Sequence, residues 1–151
     1  MLKNIDVLLP LKGEIIPIIE VEDYLFNKKI MGEGVAIKPK DNFIYSPVDG
    51  EVKFISPNNH EILISTKENL EILIHLGLDT AKFDGRGTAS YVKSGDIVKK
   101  GDKLIFFDRE YIGTKASLTT PIVITNTEIM RSLEINYEAI SNKDVLMTVI
   151  I

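Results

Sequence analysis

The stretch Asn58–Thr80 reads NNHEILISTKENLEILIHLGLDT and contains the chain's only two histidines, His60 and His75. Two short Ile-rich runs flank the polar segment Ser65–Asn69, the pattern of two strands joined by a tight turn. A two-residue loop (Lys67, Glu68) or a four-residue loop (Thr66 to Asn69) gives the same pairing, with Thr66 opposite Asn69 and Ile62 opposite Leu73. Counting outward from either loop, His60 falls opposite His75. Directly opposed residues share a face with Cβ atoms roughly 4.5–5.5 Å apart, within reach of imidazole–imidazole contact. A three-residue loop with Asn69 in the left-handed region shifts the register by one and then requires a bulge to restore the pair.

Working outward, the chain punctuates short apolar runs with glycine, proline and aspartate. Strands are expected near 5–9, 14–20, 35–38, 42–45, 50–56, 61–65, 70–75, 97–98, 103–107, 121–125 and 145–150. Such spacing without long intervening helices indicates an all-β fold, an antiparallel β-sandwich or flattened barrel with a few short helical turns. The turns are expected at Glu22 to Phe26, after Asp108, and from the capping-box spacing Thr125-Asn126-Thr127-Glu128 to about Glu134. The Gly-Asp punctuation of residues 95–104 resembles biotinyl and lipoyl carrier domains. The carrier lysine with its flanking signature is missing, so these segments read as structural hairpin turns. With 151 residues and no linker or low-complexity tract, residues 1–151 read as a single domain.

Composition narrows the function. The net charge is −4, which disfavours a nucleic-acid surface and suits a basic partner. Absence of cysteine removes disulfide and thiolate chemistry and fits a reducing compartment, so a cytoplasmic protein is expected. No run approaches the roughly 20 apolar residues of a membrane-spanning helix.

Chemistry therefore centres on the histidines. Gly77 follows His75 by two residues and Asp79 by four. A glycine there lets a main-chain carbonyl approach the ring, hold one nitrogen and leave the other free as nucleophile or ligand. Two opposed imidazoles with a nearby carboxylate also suit Zn²⁺, although the H-x-H of zinc peptidases with similar architecture is missing. A pair of hydrogen-bonded structural histidines is the plain alternative.

Several motifs together resemble one family. They are IMGEGVAIKP (30–39), SPVDGEV (46–52), NHE (59–61), IHLGLDT (74–80), GDIVKKGDKL (95–104) and TPIVITN (120–126). Their order and near-complete coverage are similar to the glucose-family enzyme IIA of the bacterial phosphoenolpyruvate-dependent sugar phosphotransferase system. The resemblance implies a phosphocarrier, a phosphotransferase component that needs no cofactor. The phosphocarrier HPr would phosphorylate His75 at Nε2, and the group would pass to a cysteine of enzyme IIB, part of a IIB/IIC sugar permease. Gly77 would orient Nδ1 of His75, and His60 would stabilise the phosphoryl oxygens. Asp79 and Asp23 match family carboxylates near the site. Leu25, Phe26, Ile30, Met31, Leu63 and Leu73 match an apolar rim that docks partners.

Two positions depart from the family pattern. Ser56 replaces a usually apolar residue and is expected to weaken or reshape one edge of the rim. Asn58 replaces the usual threonine, and an amide, able to donate or accept, leaves the His60 tautomer unspecified. The resemblance also permits an intermolecular zinc shared by His60, His75 and a partner's carboxylate, with none intrinsic. A regulatory binding module that uses the same rim toward target proteins is a third reading.

Overall fold

The computed structural model describes residues 1–80 and 82–151. In chain order the elements are β1 (Asn4–Leu8), β2 (Gly13–Pro17), α1 (Tyr24–Asn27), β3 (Glu33–Pro39), β4 (Phe43–Tyr45), β5 (Gly50–Ile55) and β6 (Glu61–Ser65). There follow β7 (Glu71–His75), β8 (Thr88–Ser90), β9 (Ile97–Val98), β10 (Lys103–Phe107), α2 (Arg109–Gly113), β11 (Thr120–Ile124), β12 (Ser132–Ile135) and β13 (Val145–Ile150). The strands form antiparallel sheets in the orders β2-β3-β11-β7-β6-β5-β9, β1-β13-β12 and β4-β10-β8. The all-β expectation is met as open sheets packed together, and no closed barrel forms among the described residues.

Alternation along β6 and β7 decides where the core and the site lie. Ile62, Ile64, Ile72 and Ile74 point to one face and join the main core with Val35, Leu104, Phe107 and Val149. Leu63 and Leu73 point to the other face, where Ile16, Ile18, Val21, Phe26, Ala36, Leu78 and Val123 make a smaller second cluster. The large sheet is thus covered on both faces. On the second face the cover is the segment 18–26, whose turn α1 starts at Asp23, where Oδ1 accepts from Leu25 N at 2.9 Å. With a period of two residues, His75 shares the face of Leu73 and lies at the edge of this smaller cluster.

The hairpin register differs from the pairing that a two- or four-residue loop gives. Leu63 lies opposite Leu73, Ile62 opposite Ile74, and Glu61, not His60, opposite His75. The reason is the turn. Thr66 N donates to Leu70 O, Asn69 N donates to Thr66 O, and Asn69 has a φ of 67°, which leaves a three-residue loop. Asn126 clamps this tip, accepting from Glu71 N at 2.9 Å and donating to Asn69 O at 2.6 Å.

That clamp also explains a corrected helix. The Asn126 side chain is committed to the hairpin, and Thr125 Oγ1 donates to Glu71 Oε2, so neither caps. Only the 3-10 turn Thr127–Ile129 forms, and residues 132–135 become β12, paired with β13. Thr88–Ser90 is a second strand the apolar runs do not announce, because it is exposed and held by pairing with β10. The expected turn after Asp108 is α2, with Asp108 accepting from Tyr111 N at 3.2 Å.

Candidate functional site

Despite the shifted register, the two histidines meet. Their ring centroids lie 5.2 Å apart with planes at 84°. No bulge in β6 restores the pair. His60 instead sits one residue before the strand, after a turn in which Asn59 takes a φ of 59°. Its main-chain carbonyl accepts from Leu76 N at 2.7 Å, which docks the turn onto the end of β7. Ser56 builds that turn: its buried Oγ accepts from His60 N and Glu61 N, both at 3.1 Å. The side chain expected at one edge of the rim is therefore an internal brace of the His60 loop, a role set by polar satisfaction of two backbone N–H groups.

Each ring is held through Nδ1. His75 Nδ1 lies 2.7 Å from the Gly77 carbonyl oxygen. A carbonyl only accepts, so Nδ1 carries the proton and Nε2 of the neutral ring keeps its lone pair. The turn needs glycine: its φ is +73°, and a Cβ would lie 2.6 Å from Ser117 O and 2.7 Å from Thr80 Cγ2. Phe26 backs the ring edge-on, with centroids 5.4 Å apart.

His60 Nδ1 faces Asn58 Oδ1 in a short hydrogen bond, with Ser56 Oγ at 3.0 Å. Asn58 Nδ2 donates to Phe83 O at 2.9 Å, and that main-chain oxygen can only accept. The amide oxygen is consequently the end presented to the ring, and the amide does select a tautomer, with the proton on Nδ1 and Nε2 free of it. Sequence reasoning missed this because Phe83 lies far along the chain. Burial holds His60 below the ordinary imidazole range, the His75 ring adds to this, and Glu61 opposes it.

Glu61 is the group the sequence reading passed over. Its register position opposite His75, which follows from the three-residue loop, is the signal that identifies it. Its Oε2 lies 3.7 Å from His60 Nε2, and ligand atoms of His60, Glu61 and His75 lie within 4.8 Å of one another. Among the described residues this is the group of His and carboxylate side chains whose donor atoms suit a metal such as Zn²⁺.

The remaining expected residues separate by position. Leu25 and Ile30 are exposed, at 38% and 59%, while Met31 and Leu63 are half-buried against the second cluster. Phe26 and Leu73 are buried in that cluster and form its floor. Asp23 caps α1, and Asp79 sits on an exposed turn with Oδ2 3.0 Å from Lys82 Nζ. The arrangement can present one fixed, unprotonated Nε2 on His75 beside a second imidazole, next to exposed apolar side chains.

Known proteins share this chain's features. Residues 5–130 match the family model described as phosphoenolpyruvate-dependent sugar phosphotransferase system, EIIA 1. The PTS system glucose-specific EIIA component of Oceanobacillus iheyensis is 51% identical over 133 residues, covering 87% of this chain and 81% of that protein. The component of the same name from Bacillus cereus is 48% identical over 126 residues, covering 83% and 76%. The solved structure of glucose permease IIA from Mycoplasma capricolum gives a TM-score of 0.92 at 38% identity, covering 97% of this chain and 96% of that one.

Proposed function

The chain belongs to the phosphoenolpyruvate-dependent sugar phosphotransferase system EIIA 1 family, and from that premise we propose that His75 is its phosphoryl acceptor. Nε2 of His75 attacks the phosphorus of phospho-HPr. A nitrogen–phosphorus bond forms here as the one on HPr breaks, and the HPr imidazole keeps the electron pair. In the second half-reaction the thiolate of an enzyme IIB cysteine attacks the same phosphorus, and His75 leaves with its lone pair restored. On this reading both exchanges take place in the cytoplasm, the second on the face of a IIB/IIC permease.

One observation carries this reading: the 2.7 Å bond from His75 Nδ1 to Gly77 O. It fixes the ring so that the neutral imidazole carries its proton on Nδ1 and presents the lone pair of Nε2 to an in-line donor. His60 faces the same space with its own Nε2. As phosphoryl charge arrives, that nitrogen takes up a proton and donates to the oxygens, with Nδ1 held by Asn58. The exposed Leu25 and Ile30 supply apolar contact for HPr, IIB or a regulatory target, and Asp23 and Asp79, beyond their contacts with Leu25 N and Lys82, are the carboxylates offered to a basic partner. Incubation with phosphoenolpyruvate, enzyme I and HPr should add one acid-labile phosphoryl mass, and an unchanged mass would defeat the assignment.

A second reading is favoured by Glu61. With both Nδ1 atoms held by oxygen acceptors, His60, His75 and Glu61 could hold Zn²⁺, shared with a partner's carboxylate or alone. Such an ion would occupy the lone pair that attacks phosphorus, so the two uses exclude each other. Zinc titration followed by calorimetry separates them: binding that survives His75 phosphorylation would rule out this shared use of Nε2.

A further inference from the structure

Directly opposed residues on neighbouring strands share a face, and the partner that β6 gives His75 is an acid, Glu61. Its side chain is about one-quarter exposed (27%), and its carboxylate is within 4.8 Å of the histidine ligand atoms. Among the described residues no lysine or arginine forms an ion pair with it; Lys82 pairs with Asp79 and Arg86 with Asp84. The contact it does have is with His60, whose Nε2 lies 3.7 Å from its Oε2. No lysine or arginine among the described residues therefore offsets a charge on Glu61, which lies across the strand pair from His75. The Gly77 carbonyl holds His75 Nδ1 and so fixes the direction of Nε2, on a strand face that Glu61 shares.

We infer that Glu61 tunes the transfer potential of the phosphohistidine, repelling the phosphoryl group while it resides on His75 and favouring its departure. The inference rests on the phosphocarrier reading. Its bond changes are those of that reading: the phosphoryl group moves from donor nitrogen to His75 Nε2 and then to a thiolate, with Glu61 neither bonded nor protonated. The sign survives proton uptake by His60. A phosphoryl group carries between about 1.5 and 2 negative charges at pH 7, whereas an imidazolium carries one positive charge. At comparable distances the carboxylate still meets net negative charge. The repulsion is confined to the phosphorylated state, so it acts on the equilibrium between carriers rather than on the fold.

The measurement is the partition of phosphoryl groups between HPr and this chain at equilibrium. Purified phospho-HPr is mixed with the unphosphorylated chain, without enzyme I or phosphoenolpyruvate, and both phosphoproteins are quantified by intact mass. Glu61→Gln removes the charge and keeps the shape. It should shift the partition toward the phosphorylated chain by about three- to tenfold. Glu61→Asp should stay near the parent value, and the difference between Gln and parent should shrink in high salt through screening. A structural role would instead lower the extent of charging in Glu61→Gln. An unchanged or reduced partition constant overturns the inference. A parent chain that accepts no phosphoryl group at all defeats the phosphocarrier reading, and this inference with it.

Discussion

His60 and His75 are held by similar means, each through Nδ1 by an oxygen acceptor, yet the reaction asks different things of them. In the proposed transfer His75 attacks, and His60 responds to charge on the phosphoryl oxygens. His60→Gln keeps a hydrogen-bonding side chain but no imidazolium. It should still be charged by phospho-HPr, while single-turnover transfer to IIB slows by about 10²–10³, the usual effect of losing a preorganised donor. Equal slowing of both half-reactions would remove the division of roles. The same residue makes stability depend on pH. Its folded value lies below that of an ordinary imidazole, so the unfolded chain binds more protons as pH falls past the ordinary range. The stability from neutral His60 is full above about pH 6.5 and is lost as pH falls through the folded value. Urea unfolding at pH 7.5 and 5.5 should show a larger loss in the parent than in His60→Gln. At this scale the motif around His75 was legible because Gly77 is adjacent in sequence. The tautomer of His60 was not, since it depends on Phe83 through Asn58.

The hairpin β6–β7 shows what a pattern of residues can and cannot settle at the level of an element. Both strands were legible from their Ile-rich runs, but the register turned on one residue, Asn69, whose left-handed φ of 67° sets the loop length. Sequence leaves two- and three-residue loops close in free energy, and the clamp from Asn126, more than fifty positions away, is absent from any local reading. Asn69→Ala should cost about 1 kcal/mol in urea unfolding, because a Cβ residue without a local polar group disfavours the left-handed region. Asn69→Gly should restore most of it. Equal losses in the two variants would mean that the Asn69 side chain, rather than its backbone conformation, holds the turn. The capping-box sequence at Thr125–Glu128 failed for a related reason: its polar side chains serve that same hairpin.

Across the whole molecule, the two-sided burial of the large sheet divides the apolar residues around the histidines into floor and rim. Strand spacing made the all-β class legible, but motif matching alone could not distinguish a side chain that packs beneath the site from one that faces a partner. Leu73 lies in the second cluster with Phe26, so Leu73→Glu should unfold the region, costing about 3 kcal/mol or more from a buried unpaired charge. Ile30 is exposed, and Ile30→Glu should leave thermal unfolding unchanged while weakening HPr binding by titration. Intact HPr affinity in Ile30→Glu would move the docking surface away from this face. The central claim, that this fold fixes one histidine as a phosphoryl acceptor, is tested most directly by charging the folded His75→Ala variant alongside the parent. With phosphoenolpyruvate, enzyme I and HPr, the parent should gain one acid-labile phosphoryl mass and His75→Ala none. Stoichiometric labelling of His75→Ala would contradict the account.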